Sequence, residues 1–269
     1  MLDPTKLTDL QWGIVPLIIY LRYIILAGAV YLVFYVWKRR DWLHMKIQQR
    51  FPHHSDYRRE VWYSTLTSLI FSVQAYICLG TPLRQYTQFY SDIHAYSMTW
   101  FFLSIPIAIA IHDTFFYWAH RWMHQPKVYK WMHRTHHLSI NPSPWATFSF
   151  HPAEAVVEGL IVPILLFTIP LHPLAFFAFI FFMLVFNVYG HLGYELFPKK
   201  LYQHPLGKWL NSSIYHNLHH EKFTGNYGLY FSFWDRVCGT MRVDNAEKVE
   251  QIHEQMEHGA VQHGREFVS

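Results

Sequence analysis

Four stretches of the chain are almost free of charge, and they set its architecture. Residues 12–37 are apolar apart from Arg22, a run long enough to cross ~30 Å of hydrocarbon. Residues 61–80 hold no Asp, Glu, Lys or Arg. Residues 98–119 begin wholly apolar and turn polar at His112 and Asp113. Residues 155–190 carry one formal charge, Glu158, and are interrupted by Pro170 and Pro173, which predicts two helices joined by a tight turn. Four such runs in one short chain predict an all-α integral membrane protein rather than a soluble core. The start lacks a basic region and a small-residue cleavage site, so the first span is expected to stay in place.

Charge orients these spans. Lys38, Arg39, Arg40, Lys46, Arg50, Arg58 and Arg59 lie between spans one and two, whereas the next loop has only Arg84. The positive-inside rule then puts the first loop in the cytoplasm. Residues 120–154 and 198–245 become a cytosolic cap, followed by a polar tail over 246–269. Composition agrees with a single membrane domain: 52% of the 269 residues are hydrophobic and 15% charged, against about 25% charged in soluble domains. The net charge of +4 is modest and argues against a nucleic-acid partner. Cys78 and Cys238 form no CxxC pair and are expected to be ordinary thiols.

The histidines, 20 in all, demand a chemical reason. His120 and His124 are four apart and share a helix face. His133, His136 and His137 form an HxxHH pattern, repeated by His216, His219 and His220. All eight fall on the face deduced from Lys and Arg alone. Eight imidazoles suit two first-row transition metals with open positions and exceed one closed zinc site. HExxH is absent, which removes the common metalloprotease pattern. Glu250 and His253 make the one ExxH, in the polar tail, and are set aside as incidental. His191, leaving the last span, is a ninth candidate. His112, His151 and His204 stay undecided; His53, His54, His94, His172, His253, His258 and His263 are read as structural or solvated. Asp113, two helical turns before His120, is a candidate to orient a ligand, with Asp235 and Glu154 behind it. Phe115, Phe116, Trp118, Trp131 and Trp145 are candidates for packing, an interfacial belt or a substrate channel.

These motifs resemble the sterol desaturase and fatty acid hydroxylase superfamily from about Arg58 onward. The likeness lies in the segment from Asp113 to His124, in His133 to His137, and in the final block of His216 to His220, Gly225-Asn-Tyr-Gly228 and Trp234 to Thr240. Phe150 to Glu154, Pro170 to Pro173 and Asn187 to His191 are most similar to the sterol C-5 desaturase (lathosterol oxidase) branch. Fatty acid hydroxylases tend to carry a histidine where this chain has Asn187, which leaves the ninth ligand to His191 and makes Asn187 a supporting residue.

The resemblance implies a four-helix anchor under a helical cap holding two iron ions, with zinc as a possible substitute. It implies dioxygen as co-substrate and a lipid drawn from the bilayer, desaturated or hydroxylated. With no fused haem domain or dinucleotide fingerprint visible, it also implies an external electron donor, a cytochrome b-type protein or a ferredoxin with its reductase. The membrane would be endoplasmic reticulum in a eukaryote and the inner membrane in a bacterium. Members act on sterols, fatty acyl chains, sphingolipids, carotenoids and alkylglycerols. A metal transporter and a zinc-stabilised scaffold are the readings from other classes.

Overall fold

The structure is a computed structural model that describes residues 8–266. It is helical, and among the described residues only isolated bridges such as Lys46 with Tyr194 replace strands. The long elements are α1 (Val15–Tyr31), α2 (His54–Leu79), α3 (Met98–Met123), α4 (Pro152–Gly159), α5 (Ile161–Thr168), α6 (Pro173–Gly190), α7 (Ser213–Lys222) and α8 (Asn245–Glu266). A π-helical stretch, Leu32–Trp37, prolongs α1.

Three helices among the described residues are long and apolar enough to cross a membrane: Val15–Trp37, Met98–Met123 and Pro173–Gly190. Their outward faces are apolar, with Leu17, Ile25, Leu32, Phe102 and Phe181 exposed, as expected of side chains meeting lipid. Helix α2 has the length but a different composition. Ser64, Thr67, Ser68 and Ser72 form a buried polar stripe, while Leu69, Val73 and Ile77 face outward. The serines all bond backbone carbonyls: Ser68 donates to the Ser64 carbonyl at 2.8 Å, Ser72 to the Ser68 carbonyl at 2.6 Å and Ser64 to the Trp145 carbonyl at 3.1 Å. Serine hydroxyls bonded to backbone carbonyls can meet apolar neighbours at little cost, while the buried Thr67 hydroxyl has no partner.

The expected hairpin over 155–190 is present with one difference. Its first arm is two eight-residue helices, α4 and α5, joined at Leu160. Pro163, in the first turn of α5, has no N–H to offer the Gly159 carbonyl, which breaks the helical ladder beside Leu160. His172 caps α6 by accepting from the Leu174 amide at 3.2 Å.

One apolar core, including Leu79, Ala108, Leu165, Phe179 and Ile180, joins α2, α3, α5 and α6. A second, around Tyr23, Phe148 and Val188, joins α1 to α6 and to the Pro144–Phe148 turn. The tail is not a loose polar segment. Helix α8 buries Val249 and Ile252 against Ile47, Ile214 and Leu218. The last residues of α1, α3 and α6 and the first of α2 and α4 gather at one end of the bundle. There Tyr35 Oη donates to the Leu192 carbonyl at 2.8 Å, and Ser139 Oγ to Glu60 at 2.7 Å.

Candidate metal centre

That end holds nine histidines in two groups. One comprises His120, His124, His133, His137 and His219; the other His136, His191, His216 and His220. Helix α3 supplies His120 and, at its C-cap, His124. The turn Arg134–His137, preceded by His133, supplies three more. His191 is the C-cap of α6, and α7 supplies the last three. Helix α7 begins on a Ser212 cap and ends at Phe223 in the left-handed region, φ 64°. Buried Glu195 fixes its start by accepting from the Ile214 amide at 3.1 Å.

Each HxxHH motif is divided between the two groups. In the first, His133 and His137 go to the five-histidine group and His136 to the other; in the second, His216 and His220 go to the four-histidine group and His219 to the other. Positions four apart share a helix face, and the position three after the first leans toward the neighbouring site.

The ring nitrogens are placed for a cation. His137 Nε2 lies 3.0 Å from His133 Nε2, 3.1 Å from His124 Nε2 and 3.1 Å from His219 Nε2. A neutral imidazole nitrogen carries one proton or one lone pair and cannot bond three others. In the second group His191 Nε2 lies 3.2 Å from His136 Nε2 and 3.1 Å from His216 Nε2. Nitrogens bound at right angles to one ion at about 2.1 Å stand about 3.0 Å apart, so the spacing fits metal ligation.

The opposite ring nitrogens settle the tautomers. Nδ1 of His120 donates to the Tyr227 carbonyl at 2.9 Å, that of His219 to Gly225 at 2.7 Å and that of His220 to Ser139 at 3.0 Å. His191 Nδ1 donates to the Asn187 carbonyl at 2.8 Å, and His133 Nδ1 to Glu154 Oε1 at 2.6 Å. With the proton held on Nδ1, the Nε2 lone pairs converge on one another, an arrangement that a bound cation stabilises. Burial keeps the rings neutral, the ligating form. It pushes His191 down to about 4. Burial, then the neighbouring His120, pushes His124 down to about 2. His133, His136, His137, His216, His219 and His220 are all held well below the usual histidine range, first by burial and then by each other's charge.

The supporting residues depart from expectation. Asp113 touches no histidine of either group: Oδ1 accepts from the Tyr230 and Phe231 amides at 2.8 and 3.1 Å. Its two-turn offset from His120 instead faces the returning loop. Asp235 also works through backbone, accepting from the Tyr227 and Gly228 amides at 2.9 and 2.8 Å, and so holds the loop whose Tyr227 carbonyl takes His120. Asn187 contributes its carbonyl to His191. Glu154, ranked behind Asp113, is the carboxylate that meets a histidine directly. Glu60 was missed because it sits just ahead of the uncharged run. It is fully buried, accepts from Ser139 and Ser143, and so fixes the carbonyl that takes His220. An acid immediately ahead of an uncharged run was the available signal.

The undecided histidines are structural. His112 Nδ1 bonds Tyr230 Oη at 2.8 Å, and His151 and His204 accept from nearby amides at 3.2 Å. His253 is buried between the Val249 and Phe197 carbonyls, and Glu250 pairs with Lys199, so that ExxH is no metal motif. Cys78 and Cys238 are free thiols. Of the five candidate channel aromatics, Trp118 and Trp131 are exposed, and none lines the cavity within the helices.

The fatty acid hydroxylase family model matches residues 105–240, about half of the chain, and the match contains all nine clustered histidines. The chain is 28% identical over 211 residues to a Delta(7)-sterol 5(6)-desaturase of Gibberella zeae, covering 77% of this chain and 64% of the relative. It is 35% identical over 166 residues to a Delta(7)-sterol 5(6)-desaturase of Leptosphaeria maculans, covering 61% and 44%. Against human lathosterol oxidase it is 30% identical over 183 residues, covering 67% and 57%. The matched stretch thus spans less than two thirds of each of these relatives. No solved structure matches.

Proposed function

Because the chain belongs to the fatty acid hydroxylase family, we propose that it is an integral-membrane di-iron oxidase that uses dioxygen to desaturate or hydroxylate a C–H bond of a sterol-like lipid. The observation that carries this reading is the convergence of nine buried imidazoles into groups of five and four. Imidazole suits iron, copper, nickel and zinc, and a group of five exceeds the four ligands of a closed zinc site. The names of the relatives, Delta(7)-sterol 5(6)-desaturase and lathosterol oxidase, favour a sterol-like substrate and an oxidative reaction.

Two bound iron ions would supply the reduction of dioxygen and the removal of hydrogen from carbon. The chain's residues do the rest. Tyr227, Gly225, Ser139 and Asn187 carbonyls and the Glu154 carboxylate fix the rings by their Nδ1 protons. Burial at the helix ends excludes water that would compete for the open positions. Desaturation removes two hydrogens from the lipid and, with two further electrons and two protons, reduces dioxygen to two waters. Hydroxylation puts one oxygen atom into the lipid and the other into water, with the same two electrons and two protons. Both need a separate reductant, a cytochrome b-type protein or a ferredoxin with its reductase. The metal end faces the cytoplasm, where the basic residues between the first two helices lie.

Membranes carrying the chain, incubated with a lipid panel under labelled dioxygen and a reductase system, test the reading by mass spectrometry. Iron in the purified protein near two equivalents and a desaturated or oxygen-labelled lipid support it. Bound zinc with no oxidised lipid, or metal-driven vectorial flux in vesicles, would replace it with a scaffold or a transporter.

A further inference from the structure

A cavity of about 220 Å³ runs between α1, α2, α4, α5 and α6, and its walls are almost wholly apolar. Its lining residues span Val15 to Arg22 on α1, Phe71 to Leu79 on α2 and Phe176 to Met183 on α6. At 1.5 Å per helical residue, each wall is about 10–12 Å long. The slot therefore lies along the helices rather than across them.

Three polar side chains break this lining: Arg22, Gln74 and Glu158. Arg22 and Glu158 stand at the end of the slot nearer the histidines, since each is the last lining residue of its helix in that direction. None has its full set of partners. Arg22 Nε and Gln74 Oε1 are buried without hydrogen-bond partners. Glu158 is 7% exposed and lines the cavity with no hydrogen bond or ion pair to another residue. Gln74 is held in place by donating through Nε2 to the Val156 carbonyl at 2.9 Å. Glu158 is one helical turn, about 6 Å along the axis, from Glu154, which meets His133.

A buried carboxyl and a buried guanidinium are costly unless something pairs with them. A hydroxyl can do both jobs at once, donating to a carboxyl or amide oxygen and accepting from a guanidinium. We propose that this slot is the binding site for a lipid with a single hydroxyl group, which meets the polar part of the lining formed by Arg22, Glu158 and Gln74. The apolar body lies along the slot toward Phe176 and Leu79. The hydroxylated end thereby sits at the metal end, and the site distinguishes a free sterol-like alcohol from its ether or ester. This rests on the lipid-oxidase reading for its catalytic meaning, but binding can be measured without turnover.

The test uses the full chain, metal-loaded, in lipid nanodiscs. The probes are a tritiated Δ7-sterol with a free 3-hydroxyl and its 3-O-methyl ether. The wild type should bind the alcohol at least tenfold more tightly than the ether. Arg22→Leu and Glu158→Leu should each bring the two within about twofold while leaving ether affinity unchanged. Ala75→Trp, which fills the slot, should abolish binding of both. Arg22→Gln and Glu158→Gln stand in if the leucine variants fail to fold, and should give a smaller loss of discrimination. Unchanged discrimination in folded, metal-loaded variants at both positions overturns the proposal, as does equal binding of alcohol and ether by the wild type. His219→Ala separates the two readings, because it should retain discrimination while losing oxidation. A wild type that discriminates but oxidises no lipid removes only the oxidase reading; one that oxidises lipid without discriminating removes only this one.

Discussion

His133 and Glu154 meet at 2.6 Å, ring Nδ1 to carboxylate Oε1, with both side chains almost completely buried. The contact joins the first HxxHH motif to the start of α4, 21 residues later, and thereby ties the metal end to the helix that lines the lipid slot. A buried carboxyl is pushed well above its usual range by desolvation and by Glu158. Its place here is accounted for by the histidine proton it accepts, which aims Nε2 of His133 at the cluster.

Glu154→Ala should lower metal affinity by about 10–100-fold, the usual effect of removing a partner behind a ligand. Glu154→Gln, which still offers an oxygen to Nδ1, should lose less. Competitive chelation followed by metal analysis of the purified variants measures both.

His136→Ala and His219→Ala should abolish lipid oxidation and reduce bound metal, with membrane insertion unchanged. His253→Ala is the control, being buried but between backbone carbonyls in α8. Wild-type metal content in both His136 and His219 variants would contradict the ligand assignment.

Gly225 carries φ +72°, and its carbonyl accepts from His219 Nδ1 at 2.7 Å. A Cβ there would come 2.7 Å from the Thr240 carbonyl. Gly225→Ala should cost about 1–2 kcal/mol in backbone strain alone and should also weaken metal retention by displacing the carbonyl. Denaturant unfolding of the metal-free protein and chelator titration of the loaded protein separate the two effects.

Acid should destabilise the metal-free chain. His191 is held at about 4 in the fold, whereas an unfolded histidine titrates near ~6.5. Within that interval the unfolded chain binds a proton that the folded chain refuses, so stability falls as pH drops from about 6.5 toward 4 and is level above it. His124, held at about 2, extends the loss to lower pH. Metal release should begin in the same window, because protons compete for the ligating nitrogens. Unfolding midpoints and bound metal measured from pH 7.5 to 4.5 check the direction.

Much of this was legible from residue order. Uncharged runs gave the helical membrane character, the spacings of four and three marked eight of the nine histidines that converge, and position at the end of the last span marked His191. The first hairpin arm was less legible, because the run from Ala155 onward is almost wholly apolar and Pro163, its mark, lies three residues past the break at Leu160. The role of α8 was missed for a related reason. Its apolar residues Val249 and Ile252 are sparse, and only the facing surface of Ile47, Ile214 and Leu218 makes them a core.

The sequence by itself determined which side chains can ligate and which segments can sit in lipid, since both depend on residue type and on the short-range period of a helix. Only the tertiary structure decided how the nine imidazoles divide, sending His136 and His219 away from their motif neighbours. It also decided that Glu154 rather than Asp113 reaches a ring, and that Arg22, Gln74 and Glu158 share one cavity. Those outcomes depend on where separate helices end relative to one another. That is fixed by long-range packing, which no local pattern encodes.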